Sequence, residues 1–206
     1  MTTKDRILDA AERIVLRDGV ARLTMEAVAA EASLSKGGVL YNYPSKDDLI
    51  RGMIHRLIDM FETDMARFAE QDPDPVGRRT RAFLRALFPQ PTQSCEQCSP
   101  VCAALLAAVA TNRSLLDPLR EHIRTWEPYL KEDGIDPVVA AMVRLAGQGL
   151  WWADLFGLKP PDPEVWRQVM ERLAEFTRRR SQESGVRSQN AEVAAIHDDS
   201  VGKRER

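Results

Sequence analysis

Apolar residues recur at helical spacing along almost the whole 206-residue chain. In residues 4–18, five apolar side chains at i, i+1, i+4, i+7 and i+8 share one helical face: Ile7, Leu8, Ala11, Ile14 and Val15. No run of alternating apolar and polar residues indicates a strand, and no sequence repeat is present. The pattern therefore predicts an all-α protein.

Capping residues and prolines divide this pattern into separate helices. We predict helices at residues 4–18, 25–32, 36–42, 46–70, 76–88, 101–110, 116–131, 138–156 and 164–180. Gly19 is a predicted C-terminal cap, and Thr24, Ser35 and Ser45 are predicted N-terminal caps. Residues 181–206 are polar and only weakly periodic, so we expect a disordered tail.

The charge and the apolar content narrow the class of protein. An apolar fraction of 44% can supply a sizeable core, and the net charge of −2 argues against a polybasic coat for nucleic acid. A local basic surface remains open, because only interface residues neutralise phosphates. The chain has no apolar run long enough to span a membrane, and its acidic N-terminus lacks a signal-peptide core. We therefore expect a cytoplasmic protein with no membrane partner.

The most informative stretch is LSKGGVLYNYPSKDDLI, residues 34–50. A nucleotide loop of the Walker type needs a different residue order and a preceding strand, and neither is present. Two short helices joined by a tight turn instead predict a DNA-reading unit. Lys36 would bring a positive charge to a helix N-terminus, and Gly37 and Gly38 would let the backbone approach DNA closely.

A simpler interpretation of the same stretch is that its residues only cap and solvate a helical hairpin. Two consecutive glycines argue against it, because each is unfavourable by about 1 kcal/mol inside a helix. The pair therefore favours a role beyond stability, and contact with DNA is our prediction.

The longer stretch LTMEAVAAEASLSKGGVLYNYPSKDDLI resembles the N-terminal helix-turn-helix of TetR-type transcriptional regulators, and so does the preceding ILDAAERIVLRDG. The resemblance covers about residues 5–55. It implies a three-helix DNA-binding head at residues 1–48 and a helical ligand-binding and dimerisation body at 49–180. It also implies a homodimer that binds a palindromic operator in double-stranded DNA. A small hydrophobic or aromatic effector would then release this repressor from its operator.

The resemblance also carries over the DNA-contact positions. These are Thr24, Ser35, Lys36, Gly37, Tyr41, Asn42 and Lys46, with Gly38 at a variable position that often faces bases. Three positions depart from the family pattern. Ser33 replaces the usual turn glycine, Leu40 replaces a frequent aromatic, and Asn42 replaces a common histidine. A left-handed backbone at Ser33 would strain the turn.

The body contains candidates for an effector pocket. Six residues are predicted to line it: His55, Asp59, Phe83, Trp126, Tyr129 and Trp151. The stretches YNYPSKDDLIRGM and GQGLWWADLFGL are similar to a subgroup associated with multidrug efflux. That resemblance implies a bulky aromatic, cationic effector bound through cation–π contacts. The last two predicted helices would pair across a two-fold axis in the dimer.

A helical interaction protein that has lost DNA binding is one alternative, for which Leu40 and Ser33 are the only support. Two other classes of function also compete with a DNA-binding regulator released by an organic effector. Cys95, Cys98 and Cys102 lie close together, which leaves open a thiol-redox or metal-responsive regulator. They do not form a disulfide framework or a complete zinc site, so no metal is predicted. An enzyme is the other class, but the three histidines lie far apart and no catalytic motif is present. We therefore predict no catalytic residue and no cofactor.

Overall fold

The computed structural model describes residues 1–88, 112–155, 158 and 162–178. Within those ranges the chain forms eight α-helices, two short 3₁₀ turns and no strand, which confirms the all-α prediction. The helices are α1 (Thr3–Asp18), α2 (Met25–Glu31), α3 (Lys36–Asn42), α4 (Lys46–Gln71), α5 (Arg78–Leu87), α6 (Asp117–Lys131), α7 (Pro137–Leu155) and α8 (Pro163–Phe176). The 3₁₀ turns are Val20–Arg22 and Arg113–Leu116. Three predictions lie outside the described residues: the helix at 101–110, the cysteine cluster and the tail from 181.

Local side-chain caps set the helix boundaries of the N-terminal half. The hydroxyls of Thr24, Ser35 and Ser45 accept hydrogen bonds from backbone N–H groups three residues later, at 3.1, 3.0 and 3.1 Å. Each such cap stabilises its helix by about 1 kcal/mol. Gly19 follows α1 with a φ of 80°, a backbone conformation in which glycine is favoured. All four predicted caps are confirmed.

The N-terminal helices enclose one apolar core. Side chains from α1, α2, α3 and the first turns of α4 form it, with Ile7, Leu23, Val28 and Leu49 fully buried. Leu115 belongs to the same core, although it lies in the distant 3₁₀ turn before α6. The N-terminal unit is therefore completed by a residue from the C-terminal half of the sequence.

A second core lies in the body. Its buried members are Met65, Phe83, Leu84, Ala86 and Val143, from α4, α5 and α7. The 26 residues of α4 serve both cores, since its first turns pack in the N-terminal unit and its second half in the body. A helix of that length spans about 39 Å, so α4 joins the two units as one continuous rod.

The first turn of α5 is capped by a residue far away in sequence. Gly77 adopts the left-handed conformation, and the buried Asp133 carboxylate accepts hydrogen bonds from the N–H groups of Arg79 and Thr80 at 2.9 and 2.8 Å. The Thr80 hydroxyl donates to the same carboxylate at 2.7 Å. The helix predicted from residue 76 therefore starts at Arg78. The two-residue error arises because a residue remote in sequence supplies the cap.

A buried arginine ties three helix ends together. Arg81, with 3% of its surface exposed, donates two hydrogen bonds to Asp72 at 2.7 and 3.0 Å. It also donates to the carbonyls of Val76 and Asp74 and to the Thr177 hydroxyl. Burial alone would raise the pKa of Asp72, but hydrogen bonds from Arg81 and the Asp74 N–H hold that pKa below its usual value. The end of α4, the start of α5 and the end of α8 thus share one polar network.

Ser33 occupies the strained turn anticipated from its departure from the family pattern. It has a φ of 54°, the only positive φ at a non-glycine residue among those described. Replacing Ser33 with glycine should raise the free energy of unfolding by about 0.5–1 kcal/mol, because the relief of strain exceeds the extra entropy lost on folding. Denaturant unfolding measures it. Ser35→Ala, which removes a cap nearby, should lower stability instead. An unchanged or lower stability in Ser33→Gly would contradict the strain.

Candidate functional site

The short helix α3 presents one face to the protein and one to solvent. Val39 is its fully buried side chain, and Tyr41 on the other side is 89% exposed. Lys36 and Gly37 are exposed at the start of the same helix. The outward face of α3 therefore offers a positive charge, a phenol and uncovered backbone.

Lys36 is held by a pair that is easily broken. Its Nζ atom lies 2.6 Å from a carboxylate oxygen of Glu26 on α2, and both side chains are more than half exposed. The hydrogen bond from Lys36 lowers the pKa of Glu26 below its usual value. Solvent-exposed pairs of this kind contribute little to stability, so Lys36 can exchange Glu26 for another anion.

Two other predicted contact residues have partners within the protein. The Asn42 side-chain amide donates to the Gly38 carbonyl at 2.8 Å, which leaves its oxygen to act outward. The Lys46 ammonium donates to the Val20 carbonyl at 3.4 Å, a weak hydrogen bond at the edge of the accepted range. The side-chain N–H of Asn42 is therefore used within α3, whereas Lys46 is held only weakly by the Val20 carbonyl.

Packing in the fold does not require either glycine of α3. A Cβ added at Gly37 would lie 3.9 Å from the nearest atom, and one at Gly38 would lie 3.4 Å from the Ser35 hydroxyl. Both distances are ordinary contacts. Gly52 on α4 differs, since an added Cβ would lie 2.6 Å from the Tyr43 ring. Gly52 is explained by packing inside the protein, whereas Gly37 and Gly38 have no such explanation.

The N-terminal unit is fastened to the body beside the first turn of α4. The Asn112 amide donates to the Asp47 carboxylate at 2.7 Å, and Arg51 donates to the Ser114 hydroxyl at 3.3 Å. Leu115, 2% exposed, enters the N-terminal core between these contacts. The segment that leads into α6 therefore holds the N-terminal unit against the body.

A cluster of aromatic rings fills the space between α4, α5 and α6. The ring centroids of Phe61 and Phe83 both lie 5.4 Å from that of Trp126 and 5.7 Å from each other. The His122 ring joins the cluster, 5.5 Å from Trp126 and 6.4 Å from Phe61. Such edge and tilted contacts are favourable geometries for aromatic pairs.

An open groove of about 270 Å³ lies against this cluster. Eight residues of α4, α5 and α6 line it: Glu62, Met65, Ala66, Ala69, Arg79, Thr125, Trp126 and Tyr129. Its walls combine apolar side chains, two aromatic rings and one charge of each sign. That composition is typical of a site for a small organic ligand.

The two charged side chains of the groove differ in their surroundings. Glu62 lies 3.1 Å from Nδ1 of His122, and burial lowers the pKa of His122 although Glu62 and Asp59 oppose the shift. The Arg79 guanidinium stacks over the Tyr129 ring at 3.7 Å and donates to the Tyr129 carbonyl at 3.0 Å. The lowered pKa makes His122 neutral near pH 7.

The structure brings together three of the six residues predicted for an effector pocket. Trp126 and Tyr129 line the groove, and Phe83 packs beneath it. His55 and Asp59 are exposed and do not line it. Trp151 packs edge-to-face with Trp152 in α7, with ring centroids 5.4 Å apart, and it does not line the groove either.

Sequence reasoning missed Phe61, Glu62, His122 and Arg79. Helical spacing in the sequence could have indicated two of these positions. Phe61, Met65 and Phe68 fall at i, i+4 and i+7 on α4, and His122 and Trp126 fall one turn apart on α6. His55, Asp59 and Glu62 share a single stripe of α4. Asp59 and His55 thus lie one and two turns before Glu62 on the stripe of α4 that reaches the groove.

Over the described ranges, no helix is long and apolar enough to cross a bilayer. The same part of the chain contains no group of three or more metal-ligating side chains.

Two sequence models of one family match the chain. The model described as bacterial regulatory proteins, tetR family, matches residues 7–53, which contain α2 and α3. The model described as the tetracyclin repressor-like C-terminal domain matches residues 77–178. Together they take in most of the chain, including the outward face of α3.

Transcriptional regulators from other bacteria are similar to part of the chain. An uncharacterized HTH-type transcriptional regulator of Xanthobacter autotrophicus is 37% identical over 84 residues, which is 41% of this chain and 40% of that protein. The HTH-type transcriptional regulator TtgR of Pseudomonas putida is 28% identical over 85 residues, 40% of each. The chain thus spans about 40% of the length of these curated relatives.

Solved structures extend the similarity over the body. A transcriptional regulator from Rhodococcus has a TM-score of 0.67 at 23% identity, over 85% of this chain and 96% of that one. The multidrug binding protein EbrR, complexed with ethidium, has a TM-score of 0.59 at 27% identity, over 84% of this chain and 98% of that one. The two family models, matched over the head and the body, show that the chain belongs to the TetR family of DNA-binding transcriptional regulators.

Proposed function

We propose that this regulator is a ligand-responsive repressor, which leaves a palindromic operator when a small aromatic effector binds its body. The observation that carries the DNA half of the proposal is the outward face of α3. Tyr41 is almost fully exposed there, and two glycines that packing does not require uncover the helix backbone. A regulator of this kind acts on chromosomal DNA in the cytoplasm.

Each predicted contact has a physical role at the DNA. Lys36 would exchange the exposed Glu26 for a phosphate at the N-terminus of α3, where backbone N–H groups also favour anions. Gly37 and Gly38 would allow the helix backbone to lie close to the groove wall. Tyr41 would bind a phosphate or a base edge, and the Thr24, Ser35, Asn42 and Lys46 side chains would fix the register of α3.

Removing the two exposed contacts tests the interface. In the Lys36→Ala, Tyr41→Ala double variant, affinity for the DNA that flanks the gene should fall. Its dependence on salt should become shallower by about one unit per lost phosphate contact, because fewer counterions are released. Fluorescence anisotropy at several salt concentrations measures both. The control is Arg124→Ala, which removes an exposed positive charge on α6. Unchanged affinity and slope in the double variant would refute the interface.

We also propose that α7 and α8 form the dimer interface. Along α7, four large apolar side chains are exposed by 40–66%: Val138, Met142, Leu145 and Trp152. Their spacing of four, three and seven residues places them on one helical face, and Gly149 lies on the same face. A two-fold contact through this stripe would create a four-helix bundle. It would place the two α3 helices about 34–36 Å apart, or more on a longer operator, hence on a palindrome.

Gly149 offers a sharp test of the dimer. A Cβ added there meets nothing within 4 Å in the protomer, so Gly149→Leu should leave the protomer folded. At a close helix contact the new side chain would overpack by about 1–3 kcal/mol, which weakens dimerisation by roughly 5- to 150-fold. Sedimentation equilibrium measures it. Glu121→Leu, on the exposed face of α6, should leave the dimer intact, and equal dimerisation of both variants would exclude the stripe.

The groove against Trp126 is the proposed effector site. Its aromatic walls and the Glu62 carboxylate favour a flat cation, which would gain both charge pairing and cation–π contact. Solved structures of EbrR, at 25–27% identity, hold ethidium and malachite green, and both ligands are aromatic cations. This similarity supports a membership in the multidrug-sensing part of the family and an aromatic effector.

A fluorescence screen tests the effector site. Ethidium, malachite green and smaller aromatic cations should quench the tryptophan emission and release the bound DNA. Trp126→Phe should abolish most of the quenching while the other tryptophans remain. If no aromatic cation quenches and none releases DNA, the effector proposal fails. The cysteine alternative receives no support from the relatives, and its residues lie outside the described ranges, so we do not propose it.

A further inference from the structure

Building on the proposed effector site, we infer that the groove selects amphoteric aromatic ligands: a compact ring system with a cationic group at Glu62 and an anionic group, such as a carboxylate, at Arg79. Both residues line the same groove of about 270 Å³. Glu62 lies on α4 beside His122, and Arg79 lies at the start of α5 beside Tyr129. The inference adds the anionic group and the small size to the proposed aromatic cation.

The Glu62 end of the groove has negative charge that is not neutralised. No lysine or arginine of the described ranges forms an ion pair with Glu62 or with Asp59, which lies one turn before it on α4. Among the described residues, the one partner of Glu62 is His122, whose pKa is lowered by burial, so the imidazole is neutral near pH 7. A ligand ammonium or iminium group would supply the missing positive charge.

The Arg79 end is arranged for an anion. The guanidinium is oriented by two contacts, its stack on Tyr129 and its hydrogen bond to the Tyr129 carbonyl. In the part of the chain that the structure describes, its one carboxylate partner is Glu132, which lies 3.9 Å away and is 78% exposed, so that pair is loose. Asp133 is close to the Arg79 backbone, but its oxygens already accept three hydrogen bonds at the start of α5. A ligand carboxylate can therefore displace Glu132 and form charge-assisted hydrogen bonds with Arg79.

The dimensions of the groove limit the aromatic body. Its volume of about 270 Å³ lies just below the range of roughly 300–1,000 Å³ usual for drug-sized ligands. Ala66 and Ala69 on α4 and Trp126 on α6 are among its lining residues. A volume of this size suits one or two fused rings, and larger dyes would extend into solvent.

A singly charged ligand meets half of this arrangement. A ligand with only a cationic group at Glu62 would cover part of the Arg79 guanidinium with its rings and leave it the weak pair with Glu132. A ligand with only an anionic group at Arg79 would likewise leave the Glu62 carboxylate without a positive partner. The Glu62 side chain is 52% exposed and that of Arg79 30% exposed, so both are hydrated until a ligand covers them. Removing water from a charge without pairing it is unfavourable, so a ligand that supplies both charges binds more tightly than either half.

Isothermal titration of the full-length protein with three matched compounds tests the inference. The probes are 2-naphthylmethylamine, 2-naphthoate and 6-(aminomethyl)-2-naphthoate, which differ only in their charged groups. We expect the amphoteric compound to bind about tenfold more tightly than either of the others. In Arg79→Met its affinity should fall to that of the amine, whose own affinity stays the same. In Glu62→Gln it should fall to that of the naphthoate.

The outcomes separate this inference from the proposed function. If the amine binds and the added carboxylate brings no gain, the amphoteric ligand is wrong and the cationic effector site stands. If none of the three binds, both fail. Should Arg79→Met not fold by circular dichroism, Glu132→Gln replaces it. Removing that competing carboxylate should tighten binding of the amphoteric compound at least twofold while the amine is unaffected, and no change would overturn the inference.

Discussion

Replacing Arg81 with methionine is expected to lower the free energy of unfolding by about 3–5 kcal/mol. The arginine is almost completely buried, and its removal leaves Asp72 and the Asp74 and Val76 carbonyls without their donor. Methionine keeps most of the side-chain volume, so the loss reports the polar network more than a cavity. Urea unfolding followed by circular dichroism measures it.

The pH dependence of the same variant gives an independent check. In the wild-type protein the pKa of Asp72 is lowered, so its carboxylate stabilises the fold above the pKa of the unfolded chain. That contribution is lost as the pH falls through the folded-state pKa. Without Arg81, burial raises the pKa of Asp72, and protonation then relieves a buried charge. The difference in stability between wild type and variant should therefore begin to narrow above about pH 4, where Asp72 of the variant takes up its proton. It should narrow further below about pH 4, where the wild-type protein loses the contribution of its carboxylate.

A matched double variant decides whether the network is responsible. Adding Asp72→Asn to Arg81→Met removes the unpaired charge and should recover part of the lost stability. The ion pair is not the source of the stability at this junction if Arg81→Met lowers the free energy of unfolding by less than about 1 kcal/mol. The same holds if adding Asp72→Asn lowers it further by as much as Asp72→Asn does alone.

Replacing Leu115 with alanine is the second large change, with an expected loss of about 2–5 kcal/mol. The side chain is 2% exposed and lies in the core of the N-terminal unit, so its truncation leaves a cavity there. Because Leu115 comes from the turn before α6, the substitution also weakens the attachment of the head to the body. Differential scanning calorimetry should show a lower and broader transition as the two units lose their shared residue.

The control for Leu115 preserves volume. Leu115→Met should cost less than about 1.5 kcal/mol, because methionine fills most of the same space. If alanine is tolerated as well as methionine, or if its transition stays as sharp as that of the wild type, Leu115 does not join the two units as the packing indicates.

The elements that were predictable from sequence are those set by neighbours in the chain. Thr24, Ser35 and Ser45 bond to residues three positions away, and the predicted limits of α3 agree with the structure to the residue. The start of α5 and the turn at 113–116 were not predictable in this way. They depend on the Asp133 cap and on the head core, both more than 50 residues distant.

The same distinction applies to the two sites. The outward face of α3 lies in one continuous stretch, so its residues were all named from the sequence. The groove combines Glu62 with Trp126 and Arg79 from three helices. Helical periodicity identifies the side of α4 that carries His55, Asp59 and Glu62, but it cannot tell which turn meets α6. The packing of α6 against α4 supplies that register.

The glycine pair of α3 has a consequence for protein engineering. Alanine fits at both positions and favours the helix by about 1 kcal/mol each, so a screen for heat resistance would enrich it there. On the proposed interface the added methyl groups would stand between the helix and the operator. Selection for thermal stability alone would then produce a more stable protein that still binds its effector but no longer binds its operator. Such an outcome is expected where a substitution that raises stability lowers activity.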